Sequence, residues 1–272
     1  MAPETFDVAV LGLARDCESS LPWTLSFVDR LGQQLRVRLI VGEDGSADRT
    51  ARLLRDAGAE IVDTTPPSQL SRMARMARAR ELVRRAYLAG APADLVLVAD
   101  LDGSFLADWG EAELRVAETR LRDDRLFGVS ATSTPYYDLL AFESADQSFD
   151  DLDERIRIAQ RRPLSYRRFM MGEVYANQEA LASDHDVLCL SAFNGAAFYR
   201  HEDYASASYV TASGGAPICE HKVLHRHMAQ GDRVMVIEPR LRVPAPREHV
   251  RQSASQFYVS AAATLVQRLR RR

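Results

Sequence analysis

Residues 95–103 read Leu-Val-Leu-Val-Ala-Asp-Leu-Asp-Gly, and the fold reading starts from how this stretch ends. The apolar run, rich in Val and Leu, is long enough for one buried strand. It closes in Asp100, one spacer, Asp102 and a glycine that lets the chain turn. Alternation puts Asp100 and Asp102 on the same side of an extended segment. Two carboxylates at the C-terminal end of a strand make a hard, oxygen-rich site. Such a site suits Mn²⁺ or Mg²⁺ held jointly with substrate phosphates. In an open α/β sheet, ligands bind where strands end in this way. A solvated acidic turn is the other reading of the same residues.

The 272 residues are 46% hydrophobic and 27% charged, enough for one large domain or one domain with an appendage. A net charge of −3 does not mark a nucleic-acid binder. Lys222 is the sole lysine; every other basic side chain is arginine, which suits phosphate. Cys17, Cys189 and Cys219 are odd in number and far apart, so neither a disulfide framework nor a zinc set is expected. A reducing cytoplasmic setting fits. The short, non-apolar start Met1–Asp7 is not read as a signal peptide, and no run reaches the roughly 18 apolar residues of a membrane span.

Outward from the central stretch, Phe6–Leu13 reads as a buried strand, with Arg15, Asp16 and Glu18 at its end. Ser19 or Ser20 would cap a helix running to about Leu31. Val37–Gly42 is a second strand, followed by Glu-Asp-Gly-Ser-Ala-Asp-Arg-Thr at 43–50. Ser46 is expected to cap a helix to about Ala57, Gly58 to stop it, and Glu60–Asp63 to form a third strand. Short connections between alternating strands and helices predict βαβ units and a mostly parallel sheet.

The stretch 43–50 resembles the Glu-Asp-Gly-Ser-x-Asp-x-Thr pattern of nucleotide-sugar glycosyltransferases with the GT-A fold, especially the large inverting family of bacterial polysaccharide enzymes. The resemblance implies that Asp44 contacts the nucleobase, with help from Asp16 or Arg15. Asp100 and Asp102 match the family's second mark, and the resemblance implies that Asp100 holds ribose or metal and Asp102 the metal. The expected fold is therefore α/β, a GT-A central sheet flanked by helices, with an acceptor-side insertion and a C-terminal helix.

Pro66-Pro67 and Gly90 bracket a helix over 68–90. Met73, Met76, Ala77, Val83 and Tyr87 mark its buried side, and Arg80 falls at the edge of that face. Arg72, Arg75, Arg78, Arg84 and Arg85 read as a solvated face; Arg80 could reach a diphosphate. This helix is also similar to the Arg-x-x-x-x-Ala-x-x-Arg-Asn helix of fungal capsular α-1,3-mannosyltransferase-like proteins, with Glu81 in place of the Asn.

Trp109–Arg122 reads as a helix and Leu126–Ala131 as a strand. Thr132–Asp186 has no clear period; it holds Tyr136-Tyr137-Asp138, an acidic cluster at 146–154 and a basic stretch at 155–168. Aromatics with carboxylates suit a sugar site, and the GT-A resemblance places the acceptor site here; a self-paired surface insertion is the alternative. Two strand-like runs at 187–200 flank Asn194-Gly195, which suggests a bulge or a close approach of backbone to ligand. Phe193-Asn194-Gly195 resembles the Trp-Asn-Gly of the mannosyltransferase-like group, which implies that Gly195 lines the donor sugar.

Pro217 is expected in a first helical turn, so Glu220 and His221 lie near a helix N-terminus, where the dipole favours a carboxylate anion. The context resembles the x-Glu-Asp motif of GT-A enzymes, with His221 in place of the Asp. It implies that Glu220 is the base or the acceptor-orienting acid. His221 and His225 lack a third ligand for zinc, and His225 and His227 read as structural or acceptor contacts. Arg233–Glu238 is a strand that Pro239, Pro244 and Pro246 should break into a loop; His249 matches a metal-binding histidine of metal-dependent GT-A enzymes in order and spacing. Ser253–Arg272 reads as a basic amphipathic helix, for a protein partner or an anionic membrane surface.

The organisation expected is one glycosyltransferase domain over 1–250, with a nucleotide-binding half (1–131), an acceptor and catalytic half (132–250), and the C-terminal helix (251–272). The expected reaction is metal-dependent transfer from a UDP- or GDP-sugar to a carbohydrate acceptor, a lipid-linked one being an option, in bacterial capsule, lipopolysaccharide or exopolysaccharide assembly. The expected location is cytoplasmic or peripheral at the inner membrane face. A nucleotidyltransferase, or a non-catalytic sugar- or nucleotide-binding module, remains the alternative.

Overall fold

The computed structural model describes residues 6–67, 69–101, 106, 108–211 and 218–246, except the side chains of 163 and 164. In chain order the elements are β1 (Phe6–Ala14), α1 (Leu21–Gly32), β2 (Val37–Glu43), α2 (Thr50–Asp56), β3 (Glu60–Asp63), α3 (Arg72–Ala89), β4 (Ala93–Asp100), α4 (Glu111–Leu121) and β5 (Leu126–Thr132). Then follow α5 (Leu152–Ala159), α6 (Pro163–Phe169), a π-helical segment (Met170–Tyr175), α7 (Ala176–Leu181), β6 (Val187–Cys189), β7 (Ala196–Arg200), α8 (His201–Ser206), α9 (Glu220–Met228) and β8 (Val234–Arg242).

The strands form one sheet in the order β3-β2-β1-β4-β7-β5-β8-β6. β3, β2, β1 and β4 are parallel, as are β5 and β8; β7 runs antiparallel between β4 and β5, and β6 closes the far edge antiparallel to β8. The sheet is mostly parallel and buried on both faces, which is why its strands read as near-continuous apolar runs. Along β1, Val8 and Val10 face a core containing Leu21, Phe27, Leu114 and Leu121, whereas Ala9 and Leu11 face one containing Val83, Tyr87 and Leu224.

The chain leaves β1 toward β2 and β3, then returns through α3 to place β4 on the other side of β1. This reversal opens a crevice beyond the C-terminal ends of β1 and β4, the usual ligand position in such sheets. The spacer between the two aspartates, Leu101, is buried over Gly12, where a Cβ would lie 2.5–2.7 Å from the leucine side chain. Glycine at position 12 therefore gives Leu101 its seat and fixes the exit from β4.

Four local expectations change. α2 begins at Thr50, not just after Ser46, because Glu43 captures the N–H groups of Gly45 and Ser46 and Asp48 captures that of Thr50, holding 44–49 in a turn. β8 runs through Pro239 to Arg242. The β5–β8 register shifts between Ser130 and Thr132, so Pro239 lies where the ladder is interrupted and needs no N–H bond there. Residues 132–186, without visible period, fold into the short helices α5 to α7, each eight residues or fewer. Asn194-Gly195 is a turn ahead of β7, with φ of +50° and +87°, rather than a bulge within a strand.

Candidate active site

The loops after β1 and β2 hold each other in place. The Asp16 N–H donates to Ser46 Oγ (3.1 Å), and the Ala47 N–H donates back to Asp16 Oδ1 (2.7 Å). Cys17 N–H donates to Thr50 Oγ1 (2.9 Å) and Glu18 N–H to Asp48 Oδ2 (3.0 Å). Asp16 carries a left-handed φ of +48° within this lacing. One of its carboxylate oxygens, Oδ1, is thus engaged by backbone, and Oδ2 lies 3.7 Å from Arg15 Nε.

Asp44 stands at the rim of a cleft of about 530 Å³ that Arg15, Thr64, Arg75, Arg80 and Asp100 also line. Its Oδ2 takes the guanidinium of Arg75 and, at 3.5 Å, that of Arg15. Its Oδ1 is buried and has no hydrogen-bond partner among the described residues. Arg78 fastens α3 to the exit of β3 by donating to the Thr64 carbonyl (2.9 Å). The arginine face of α3 is therefore only partly solvated. Arg75 reaches Asp44, Arg78 reaches Thr64, and Arg84 is buried against Glu81 (Nε to Oε2, 3.0 Å). Asp44 and Thr64 come from distant segments, which helical spacing alone cannot reveal, whereas Glu81 is the i,i+3 neighbour of Arg84 on the same helix.

Arg80, only 4% exposed, sits at the base of the cleft. Its Nη2 donates to Asp100 Oδ1 (2.8 Å), its Nε lies 3.6 Å from Glu220 Oε1, and its guanidinium lies 5.1 Å from the centre of the Phe193 ring. Burial opposes the charge on Arg80, but Asp100, Tyr209 and Glu220 more than offset it and raise its pKa. Next to it Glu81, equally buried, accepts from Arg84, Arg85, Ser208 Oγ (3.2 Å) and the Tyr209 N–H (3.1 Å). Successive residues of α3 thus hold the end of β4 with the start of α9, and the 208–209 segment.

The turn before β7 completes the frame. The Gly195 carbonyl accepts the Asp100 N–H (2.9 Å). Buried Asn194 accepts at Oδ1 from the N–H groups of Tyr137 (3.0 Å) and Asp138 (3.3 Å) and donates to Ser133 Oγ (3.0 Å). The Asp138 carboxyl caps the single turn Leu139–Ala141. Burial, then the nearby Glu220 carboxylate, pushes it up to about 6.

Glu220 and His221 open α9, as the sequence predicts; both are buried. His221 stacks on Phe193 (ring centres 3.6 Å apart), with Nε2 at 3.7 Å from Glu220 Oε1. Burial, then Arg80 and His225, holds His221 well below the usual imidazole range, so it is neutral at pH 7. His225 bridges Ser191 Oγ and Tyr199 OH, each at 2.7 Å, and is a core residue pushed down to about 3 by burial. The sole lysine, Lys222, is fully buried and ties α9 to the insertion through Asp150 (2.6 Å) and Ser148 (3.0 Å).

Of the residues singled out in the sequence, Asp44, Arg80 and Asp100 line the cleft. Arg80 links it to Glu220 and His221, Gly195 supports Asp100, and Asp16 laces the loops. Asp102, His249 and the C-terminal stretch 251–272 lie outside the described residues. Among the described residues no group of three or more His, Cys, Asp or Glu could hold a metal ion. The described carboxylates at the cleft are Asp44 and Asp100; Asp100 suits Mn²⁺ or Mg²⁺ only together with further ligands. Arg75, Glu81 and Asn194 carry site contacts that the sequence reading did not assign. The left-handed φ of Asn194 is the one that sequence could signal, through its Asn-Gly pair.

No family model and no curated protein matches the chain. Among solved structures, one described only as a mycobacterial protein is 15% identical with a TM-score of 0.50, over 93% of this chain and 70% of that one. Glucosyl-3-phosphoglycerate synthase from Mycobacterium tuberculosis, in complex with Mn²⁺, UDP-glucose and phosphoglyceric acid, is 14% identical with a TM-score of 0.48, over 97% and 79%. At these identities likeness speaks to the fold alone, and what the first comparison establishes is an α/β architecture shared along nearly the whole chain.

Proposed function

We propose that the protein is a glycosyltransferase of the GT-A type, moving a sugar from a UDP- or GDP-sugar to a carbohydrate acceptor with the help of Mn²⁺ or Mg²⁺. One observation carries this reading. The acids ending β2 and β4, Asp44 and Asp100, converge on a single cleft of about 530 Å³ together with arginines of α3. From the cleft a nucleobase N–H would reach the Asp44 carboxylate, whose Oδ2 is held in position by Arg15 and Arg75.

In this reading a divalent metal held by Asp102 and His249 with Asp100 would offset the charge on the departing diphosphate. Arg80 orients Asp100 and Glu220 at once. Gly195 sets the backbone beside Asp100, where the donor sugar would lie. Glu220 orients or deprotonates the acceptor hydroxyl. His221 is neutral and keeps the Glu220 side dry against Phe193. The acceptor side is built by the insertion, with Tyr137 and Asp138 presented by Asn194. A role in capsule, lipopolysaccharide or exopolysaccharide assembly follows from the sequence resemblance alone. A lipid-linked acceptor would be consistent with the basic C-terminal stretch.

The test is donor turnover. The full-length protein is incubated with UDP-glucose, UDP-galactose or GDP-mannose and Mn²⁺, and release of the nucleoside diphosphate is followed. Release from one donor, abolished by EDTA, is expected. Release from none, with no binding of any nucleotide, would overturn the reading.

A further inference from the structure

We propose that the surface formed by the end of α5, the turn at 160–162 and α6 docks on an anionic phospholipid bilayer. Residues 155–172 contain six arginines and no Asp or Glu, in a chain whose net charge is −3. Two of the six are paired: Arg155 with Asp151 and Glu173, and Arg157 with Glu154. Arg161, Arg162, Arg167 and Arg168 are exposed and form no ion pair with a described residue.

Within this surface, Arg167 and Arg168 border a hollow of about 420 Å³ with Met171 and Gly172, roomy enough for a phosphate headgroup against an apolar wall. Ile158 is 51% exposed, one of few large apolar side chains left in water among the described residues. The Arg161 N–H donates to the Ile158 carbonyl (3.1 Å) and the Arg162 N–H to that of Ala159 (3.1 Å). Ile158 therefore sits one helical turn from two unpaired arginines. Cations beside an exposed aliphatic group are the pattern of an interfacial surface. The four cations are spread over a turn and a second helix, and none is buried. A single small anion would engage two of them and remain solvated, whereas a charged bilayer engages all four at once. This inference does not depend on the transferase reading.

The test is flotation of the full-length protein with vesicles of phosphatidylcholine alone, or with 30% phosphatidylglycerol, at 0.1 M salt. Binding to the anionic vesicles only, released at 0.5 M salt, is expected. Each arginine near such a surface is worth about fivefold in partitioning. The variant R161Q/R162Q/R167Q/R168Q should therefore lose at least about 50-fold, with an unchanged melting temperature, and each Arg pair changed alone should lose part of that. A second variant, R268Q/R270Q/R271Q/R272Q, should retain most of the binding. Three results would overturn the proposal: equal binding to neutral vesicles, undiminished binding by the first variant, or loss confined to the second. Displacement by millimolar glycerol phosphate at constant ionic strength would also overturn it, by making a small soluble anion the occupant.

Discussion

Arg80 donates to Asp100 across 2.8 Å from a position only 4% exposed, so the acid that ends β4 is held by a cation that water barely reaches. The same guanidinium lies 3.6 Å from Glu220. The end of the sheet strand and the start of α9 are therefore joined through one side chain.

Replacing Arg80 with Met should be severe. Removing one partner of a buried charge cluster typically costs about 3–5 kcal/mol, and here it leaves Glu220 buried beside Phe193 and His221 without its cation. Urea unfolding should show a loss of that size. Arg80→Lys should recover part of the stability, because the ammonium can pair with one carboxylate but cannot span both.

Asp138 gives the protein a defined pH response. Its carboxyl is raised from the usual 3.8 to about 6, so the folded state binds its proton more tightly than the unfolded state does. The associated stability is complete below about pH 4 and is lost as pH rises through 6. Asp138→Asn should therefore stabilise the protein at pH 7.5 by about 1–3 kcal/mol and change little at pH 4. Thermal melts of both proteins across that range check the sign. A stabilisation that grows toward acid pH would contradict the assignment.

Glu81 should tolerate Gln better than Ala. Alanine strands the buried Arg84 and leaves the Tyr209 N–H without its acceptor. A loss of about 3–5 kcal/mol is expected for Ala. Gln keeps an acceptor for Tyr209 and should lose less. Chemical denaturation of the two variants gives the comparison directly.

Much of this was legible in the sequence where local rules and tertiary structure agree. β3 falls at Glu60–Asp63 as read, because Gly58 and the short apolar run leave one choice. Glu220 and His221 open a helix as read. The misreadings share a cause: side chains that answer to distant partners. Ser46 looks like a cap, but its Oγ accepts the N–H of Asp16, thirty residues earlier. Pro239 looks like a stop, but an interrupted ladder accommodates it. Arg75 and Arg84 look solvated along a helix, yet Arg75 reaches Asp44 at the end of β2 and Arg84 donates to the Ala205 carbonyl (3.2 Å). Asn194 shows the same limit, since its value lies in the N–H groups of Tyr137 and Asp138, 57 and 56 residues earlier.

The central claim is that the cleft between Asp44 and Asp100 holds a nucleoside diphosphate. Calorimetric titration of UDP and GDP into the full-length protein, with Mn²⁺ and again with EDTA, tests it most directly. The account predicts saturable binding of one of the two in Mn²⁺, weakened by EDTA and reduced at least tenfold in a folded Asp44→Ala variant. Absence of binding by either nucleotide to folded protein in Mn²⁺, or equal affinity in the Asp44→Ala variant, would contradict it.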